Sequence, residues 1–122
     1  MNWRVDPHAA EPPSQQLVAA VADAIARGEL QPGDRLPSVR QMAQEALVNP
    51  NTVGKSYREL EFLGLTAGKN GSGVFVCAAA TAKARSLRRA ATWDALQAAF
   101  AAALAAGHLP ADLLEALLEE SR

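Results

Sequence analysis

The sequence predicts a mainly α-helical fold with one small β-hairpin, on three observations. Apolar residues recur at helical spacing through most of the chain. Proline and glycine divide these periodic stretches into separate helices. Only residues 65–77 show short strand-like runs around a glycine-rich stretch. A chain of 122 residues suits one domain, or one small domain with an appendage.

Composition narrows the class of protein. Lysine and arginine number 12 against 13 aspartate and glutamate, and this net charge of −1 argues against a uniformly basic nucleic-acid binder. The hydrophobic fraction is 49%, but 27 of these residues are alanine, so the core is modest. A single cysteine, Cys77, excludes an internal disulfide and a multi-cysteine zinc site. No signal peptide or spanning segment is evident, so we expect a cytoplasmic protein without membrane, metal or cofactor.

The first elements are an arm and a helix. Residues 1–13 contain three prolines, which predicts an extended arm. A helix of about four turns follows, with Ser14 as its expected N-cap and Gly28 beyond its end. Its apolar face carries Leu17, Val21 and Ile25.

A helix-turn-helix comes next. Ser38 and Gln41 have the spacing of a capping box at the start of the second helix. Asn49 is the expected N-cap of the third helix, because Pro50 suits a first helical turn and disfavours helical geometry before it. This third helix is expected to end near Leu63. Two helices joined by so short a turn form a helix-turn-helix.

The hairpin completes the predicted N-terminal domain. Residues 65–67 and 74–77 are the expected strands, and the glycine-rich residues 68–73 connect them. A helix, a helix-turn-helix and a hairpin in this order predict a winged helix-turn-helix. We therefore assign residues 1–77 to the arm and a winged DNA-binding domain, and residues 78–122 to a helical dimerisation tail.

The tail is predicted to contain two helices, one from about residue 81 to Gly107 and one from Pro110. A helix of about 25 residues would be about 37 Å long, which exceeds the breadth of so small a domain. The long helix has an apolar stripe that needs cover. We expect the last helix to fold back over part of this stripe and a second subunit to cover the rest. The expected dimerisation residues are Trp93, Leu96, Phe100, Leu104, Leu113 and Leu117.

The third helix has a polar face suited to DNA. At helical spacing, Val53, Tyr57 and Leu60 share the inner face. The opposite face carries Asn51, Lys55 and Arg58, with Thr52 at its flank. An amide and two cations near a helix N-terminus match a recognition helix that enters the major groove. The alternative is that they are the polar residues of any exposed helix, and this alternative is strongest for Arg58.

At these residues the sequence resembles the GntR family of bacterial transcription regulators. The opening Trp3-Arg4-Val5-Asp6-Pro7 is similar to the lead-in of the small YtrA-type subgroup, whose tail of two helices is used for dimerisation. Arginine often follows Thr-Val in the family, whereas this chain has Gly54. The blocks that carry the resemblance are Gly28-Glu29-Leu30-Gln31-Pro32-Gly33-Asp34-Arg35-Leu36-Pro37-Ser38-Val39-Arg40, Val48-Asn49-Pro50-Asn51-Thr52-Val53, Tyr57-Arg58-Glu59-Leu60-Glu61, Gly64-Leu65 and the glycine-rich turn into Val74-Phe75-Val76.

The resemblance implies DNA-binding roles for particular residues. Arg35 and Ser38 would hold phosphates, Arg40 would contact DNA beside the recognition helix, and Gly71 would lie at the wing tip near the minor groove. The alternative for Arg35 and Arg40 is pairing with acids, for which the candidates are Asp34, Glu45 and Glu59. The full set of expected DNA-binding residues is Arg35, Ser38, Arg40, Asn51, Thr52, Lys55, Arg58, Lys69 and Gly71.

These observations favour a homodimeric, sequence-specific regulator of transcription. We expect a repressor that binds a pseudo-palindromic operator in double-stranded DNA. The resemblance adds a transporter-linked operon as a target, and the existence of a small-molecule effector is left open. The alternative is a winged-helix protein-interaction module, which the near-zero charge and Gly54 favour. An enzyme fragment from the aminotransferase-fused branch of the family is disfavoured, because no catalytic set of side chains can be assembled.

Two histidines, the single cysteine and a basic cluster are further candidate sites in the sequence. His8 and His108 lack ligand-type neighbours at metal spacing, and Cys77 is expected to be a small buried residue rather than a redox sensor. A basic cluster follows the hairpin. It is expected to contact phosphates, to meet the acidic end of a neighbouring subunit, or simply to be solvated; its members are Lys83, Arg85, Arg88 and Arg89.

Overall fold

The computed structural model describes residues 1–122 and contains five helices and one two-stranded antiparallel sheet. The predicted mainly α-helical class with one hairpin is confirmed. Two compact units are present, Met1–Arg88 and Arg89–Arg122. The elements in chain order are α1 (Pro13–Ala26), α2 (Val39–Ala46), α3 (Pro50–Phe62), β1 (Thr66–Lys69), β2 (Gly73–Val76), α4 (Ala80–Ala105) and α5 (Pro110–Glu120).

Helix α1 begins without a side-chain cap. The expected N-cap at Ser14 is wrong, because α1 starts at Pro13 and Pro12 occupies the cap position. Proline suits a first turn, since its φ is preset and its missing N–H needs no acceptor. Ser14 instead lies inside the helix, buried, and its carbonyl oxygen accepts a hydrogen bond from Ser56 Oγ at 2.8 Å.

The N-terminal arm packs against the core. Trp3 and Val5 are 5% and 8% exposed and belong to the main hydrophobic cluster. Gln16 holds the arm in place: its Oε1 accepts from the Asp6 backbone N, and its Nε2 donates to the carbonyl oxygens of Asp6 and Glu11. The prediction of an extended arm did not include this burial, although Trp3 and Val5 alternate with polar residues, which is typical of a half-buried extended segment.

Local signals place α2 and α3 where they were expected. Ser38 Oγ accepts from Gln41 N at 3.1 Å and Gln41 Oε1 accepts from Ser38 N at 3.0 Å, which confirms the capping box. Asn49 Oδ1 accepts from Asn51 N at 2.8 Å, which confirms the N-cap of α3. Between the helices, Leu47 has a left-handed backbone with φ 59°, a costly conformation for a leucine that allows the short turn.

Helix α3 packs against α1 and α2, and Tyr57 ties it to the segment before α2. The hydroxyl group of Tyr57 donates to the carbonyl oxygen of Pro37 at 2.6 Å. Burial raises the pKa of Tyr57 and the negative charge of Glu45 raises it further, so the phenol stays a neutral donor. The largest fully buried side chains around these helices are Leu17, Ile25, Met42, Leu60 and Leu65.

We expect Tyr57→Phe to lower the free energy of unfolding by about 1–2 kcal/mol, because the Pro37 carbonyl loses its donor in a partly buried place. Urea unfolding followed by circular dichroism measures the change. Ser121→Ala is the control, since it also deletes one hydroxyl group, one that bonds to Leu118 O on the exposed end of the tail. Equal stabilities for the two variants would show that the tyrosine hydroxyl does not stabilise this junction.

The hairpin has a longer first strand and a shorter loop than expected, and its second strand is shifted by one residue. Gly68 pairs with Val74 and Lys69 with Gly73, so three residues, 70–72, form the loop instead of six. Arg35 also forms a bridge with Phe75, and Leu36 N donates to Val74 O at 2.8 Å. The segment before α2 therefore flanks β2, a non-local pairing that the sequence did not indicate.

The unit formed by residues 89–122 contains the last part of α4 and all of α5. Gly107, with φ 100°, ends the α4 segment, and Pro110 starts α5. No residue of this unit is buried. An apolar groove of about 230 Å³ lies between the two helices, lined in part by Leu96, Phe100, Leu113 and Leu117. None of the helices in the chain is both long and apolar enough to cross a membrane.

Candidate nucleic-acid interface

Helix α3 exposes the polar face that its sequence predicts. Val53 and Leu60 are fully buried and Tyr57 is 7% exposed, so this side faces the core. Asn51, Lys55 and Arg58 are exposed on the opposite side, which we call the outer face of α3. The predicted orientation of α3 is confirmed, whereas the DNA-binding role of these residues stays a prediction.

Gly54 leaves room on α3 that Arg58 occupies. A Cβ atom at Gly54 would lie 3.5 Å from Arg58 Nη1, so the guanidinium group lies over the glycine, one turn before its own Cα. A cation therefore covers the place where Gly54 has no side chain. The distance of 3.5 Å is an ordinary van der Waals contact, so a methyl group fits there.

We expect Gly54→Ala to raise the free energy of unfolding by about 0.5–1 kcal/mol, because alanine loses less entropy in a helix and its Cβ fits. Thermal unfolding of the purified chain measures the change. Gly64→Ala is a control that should instead lower the free energy of unfolding, because Gly64 has φ +77° and a Cβ there would lie 2.8 Å from Lys83 Nζ. A destabilised Gly54→Ala would show that α3 requires glycine at this position.

The residues expected to hold phosphates are exposed around the start of α2. Arg35, Ser38 and Arg40 are all exposed, and neither arginine forms an ion pair. The alternative of acid pairing is therefore wrong for both. Two of the candidate acids have other partners: Asp34 Oδ2 accepts from Gln31 N, and Glu59 Oε2 accepts from Gln15 Nε2.

Two of the expected cations lie against the wing, the hairpin of β1 and β2. A Cβ at Gly73 would lie 2.6 Å from Arg35 Nε, so the Arg35 side chain lies directly on the hairpin backbone. Lys69 Nζ stands 4.9 Å from the centroid of the Phe75 ring, a cation–π arrangement. Because Arg35 also bridges to Phe75, the wing places both cations beside β2. Gly71 lies at the exposed tip with φ 68°.

The basic cluster after the hairpin is largely structural. Arg85 Nε donates to the Ala26 carbonyl oxygen at the end of α1, at 3.0 Å. Arg88 Nε lies 2.6 Å from Asp23 Oδ1, in a half-buried ion pair. Lys83 lies over Gly64, just past the end of α3. Arg85 and Arg88 therefore fasten the start of α4 to α1. The cation of Lys83 lies beside the C-terminal end of α3, where the helix dipole favours positive charge, whereas Arg89 is exposed.

The arm borders the interface, which the sequence did not indicate. A groove of about 760 Å³ lies between the arm and the turn that leads into α3. Asn2 and Arg4 line it from the arm, and Asn49 and Thr52 line it from α3. The signal that could have revealed this is the alternation of polar and apolar residues from Asn2 to Asp6, which is typical of an extended segment buried on one side.

No group of three or more histidine, cysteine, aspartate or glutamate side chains is close enough to hold a metal ion. Cys77 is half-buried at the end of the wing. The exposed polar groups described above donate hydrogen bonds and carry positive charge, which suits an anionic surface.

Residues 13–76 match the family model described as bacterial regulatory proteins, gntR family. This match covers the helix-turn-helix and the wing. The chain belongs to the GntR family. The predicted family resemblance is thereby confirmed.

The GntR match extends to curated relatives and solved structures. The chain is 37% identical over 73 residues to the transcriptional repressor YtrA of Bacillus subtilis, covering 60% of this chain and 56% of that protein. The chain thus spans a little over half the length of this relative. A GntR regulator from Listeria monocytogenes has the same fold, with a TM-score of 0.76, 22% identity, and coverage of 94% of this chain and 98% of that one.

Two further solved structures are similar to this chain. YtrA from Sulfolobus acidocaldarius, a GntR-family transcription factor, is 30% identical with a TM-score of 0.62, over 80% of this chain and 99% of that chain. The DBD of AraR, solved in complex with operator ORX1, shares the fold with a TM-score of 0.55 and 24% identity, over 60% of this chain and 90% of that one. The two YtrA proteins and the Listeria protein are named as regulators of transcription.

Proposed function

We propose that this GntR protein is a homodimeric repressor that binds a pseudo-palindromic DNA operator in the bacterial cytoplasm. The outer face of α3 is the observation that carries the proposal: its amide and two cations are exposed, and neither cation forms an ion pair. The printed name of the Bacillus relative, a repressor, supports the direction of regulation. A transporter-linked operon as target rests on the resemblance alone.

The outer face of α3 suits the edges of bases in the major groove. The Asn51 amide matches the N6 and N7 atoms of adenine, and Lys55 and Arg58 match the O6 and N7 acceptors of guanine. Thr52, beside them, would donate to a phosphate or contact a thymine methyl group. Three to four side chains on one helix are the usual number for reading one half-site.

Exposed donors outside α3 would fix its register on the duplex. Arg35, Ser38 and Arg40 are placed around the start of α2 to hold phosphates, which carry no sequence information but position the protein. On the wing, Lys69 and Gly71 would approach the adjacent minor groove. The exposed glycine has no side chain to obstruct close approach of the backbone.

The apolar surface of residues 89–122 supports a homodimer. Trp93 is 60% exposed, and no residue of this unit is buried. Exposed apolar side chains of this number in one small unit indicate a protein interface. A two-fold dimer places two recognition helices about one DNA turn apart, which is why the operator should be a pseudo-palindrome. The exposed large apolar side chains of this unit are Trp93, Leu96, Phe100, Leu104, Leu109, Leu114, Leu117 and Leu118.

Selection from a random pool of duplexes tests the proposal. The purified full chain should enrich an inverted repeat whose half-sites are about one helical turn apart. Enrichment of a lone half-site would contradict the dimer, and no enrichment would contradict sequence-specific binding.

A protein-interaction module is the second candidate. The observation that favours it is Phe62, which is 89% exposed at the end of α3. Failure of the selection, combined with saturable binding of a protein partner that Phe62→Ser abolishes, would favour this candidate over the repressor.

A further inference from the structure

The N-terminal arm holds an arginine in a fixed position beside α3. Trp3 and Val5 are buried on either side of Arg4, and Val5 N donates to Ala46 O, the last residue of α2, at 3.4 Å. Residues of an extended segment alternate in direction, so the two buried neighbours turn Arg4 outward. Arg4 is accordingly exposed.

Arg4 shares a groove with the first turn of α3. The groove of about 760 Å³ has Asn2, Arg4 and Asp6 on the arm side. Asn49 and Thr52 lie on the other side, and Thr52 belongs to the proposed DNA surface. The groove therefore continues that surface toward the arm.

The groups in the groove leave the positive charge of Arg4 available. The Arg4 side chain forms no ion pair, and only its backbone N is bonded, to Asn2 Oδ1 at 2.9 Å. Asp6 is the one acid that lines the groove, and its Oδ1 accepts from His8 N at 2.9 Å. A guanidinium group with free donors matches a phosphate, which it can bind through two parallel hydrogen bonds.

We propose that Arg4 binds a phosphate of the DNA backbone next to the base pairs that α3 contacts. The arm is then a further DNA-contacting element, beside α2, α3 and the wing. The inference rests on the proposed function, since it requires DNA on the outer face of α3. It adds affinity without sequence preference, because a phosphate contact carries no base information.

The test uses the full chain with Arg4→Gln, and Arg27→Gln as matched control. Arg27 is also an exposed arginine, but it pairs with Glu29 beyond the other end of α1, about 20 Å along that helix from the groove. Fluorescence anisotropy measures binding to the selected duplex and to a random duplex of equal length at several salt concentrations. Sedimentation confirms that each variant keeps the oligomeric state of the wild type.

Arg4→Gln should weaken binding to both duplexes by about three- to tenfold, and the slope of log affinity against log salt should fall by about one. Arg4→Lys should restore most of the affinity, and Arg27→Gln should match the wild type. If Arg4→Gln keeps the affinity and the salt dependence of the wild type, the inference about Arg4 is wrong, whereas the proposed function is unaffected. A loss confined to the selected duplex would also overturn it, because a phosphate contact acts on any sequence. If the wild type binds neither duplex, the proposed function is wrong, and the inference about Arg4 fails as well.

Discussion

Replacing Asn51 and Arg40 together by alanine is expected to abolish specific DNA binding while the fold and the dimer persist. Each base-reading or closely placed charged contact contributes about 1–3 kcal/mol, so losing both weakens binding by about thirtyfold or more for each half-site. Neither side chain stabilises the protein. Both are exposed, and the only bond of Asn51 outside the helix is from its backbone N to Asn49 Oδ1.

A gel shift with the selected duplex measures this loss. The control is Arg27→Ala with Glu29→Ala, which removes an exposed ion pair beyond the C-terminal end of α1 and should leave retention unchanged. Normal retention of the Asn51→Ala, Arg40→Ala protein would contradict the assignment of α3 as the recognition helix.

The second large effect is expected in the tail. Trp93→Glu with Leu104→Glu should convert the dimer into a monomer of 12.8 kDa, because two carboxylates would have to be buried in the interface. Both side chains are exposed, at 60% and 38%, so the monomer should keep its helices. Operator affinity should then fall by about a hundredfold or more, since the second half-site no longer binds in the same event.

Light scattering and anisotropy measure these two changes. Ala91→Glu with Ala98→Glu is the matched control: it adds the same charge to α4 on the side of the helix opposite Trp93, where both alanines are exposed. A dimer that survives Trp93→Glu with Leu104→Glu would place the interface elsewhere.

Local signals explain which parts of the fold the sequence predicts. Ser38 with Gln41, and Asn49 before Pro50, act within one helical turn, so they define the starts of α2 and α3 without knowledge of distant residues. The orientation of α3 follows in the same way from the spacing of its apolar residues.

Long-range contacts explain what the sequence does not predict. The bond from Arg85 to Ala26 joins residues 59 positions apart, and the Arg88–Asp23 pair joins residues 65 apart. The burial of Trp3 and the bridge from Arg35 to Phe75 likewise depend on distant partners. For the candidate site, the types of residue were predictable, but the position of the arm beside Thr52 was not.

The near-zero net charge is compatible with DNA binding because of where the charges lie. Asp23 pairs with Arg88, and Glu29 pairs with Arg27, whose hydrogen bond lowers the pKa of that glutamate. Five cations expected to contact DNA form no ion pair: Arg35, Arg40, Lys55, Arg58 and Lys69. We therefore expect modest non-specific affinity and a strong dependence on base contacts and on dimerisation.

The affinity ratio between the selected duplex and a scrambled duplex of the same composition tests the central claim most directly. Anisotropy at about 150 mM salt should give a preference of about a thousandfold or more for the selected duplex, as specific binding of regulators requires. Equal affinities for the two duplexes would contradict sequence-specific recognition by this protein.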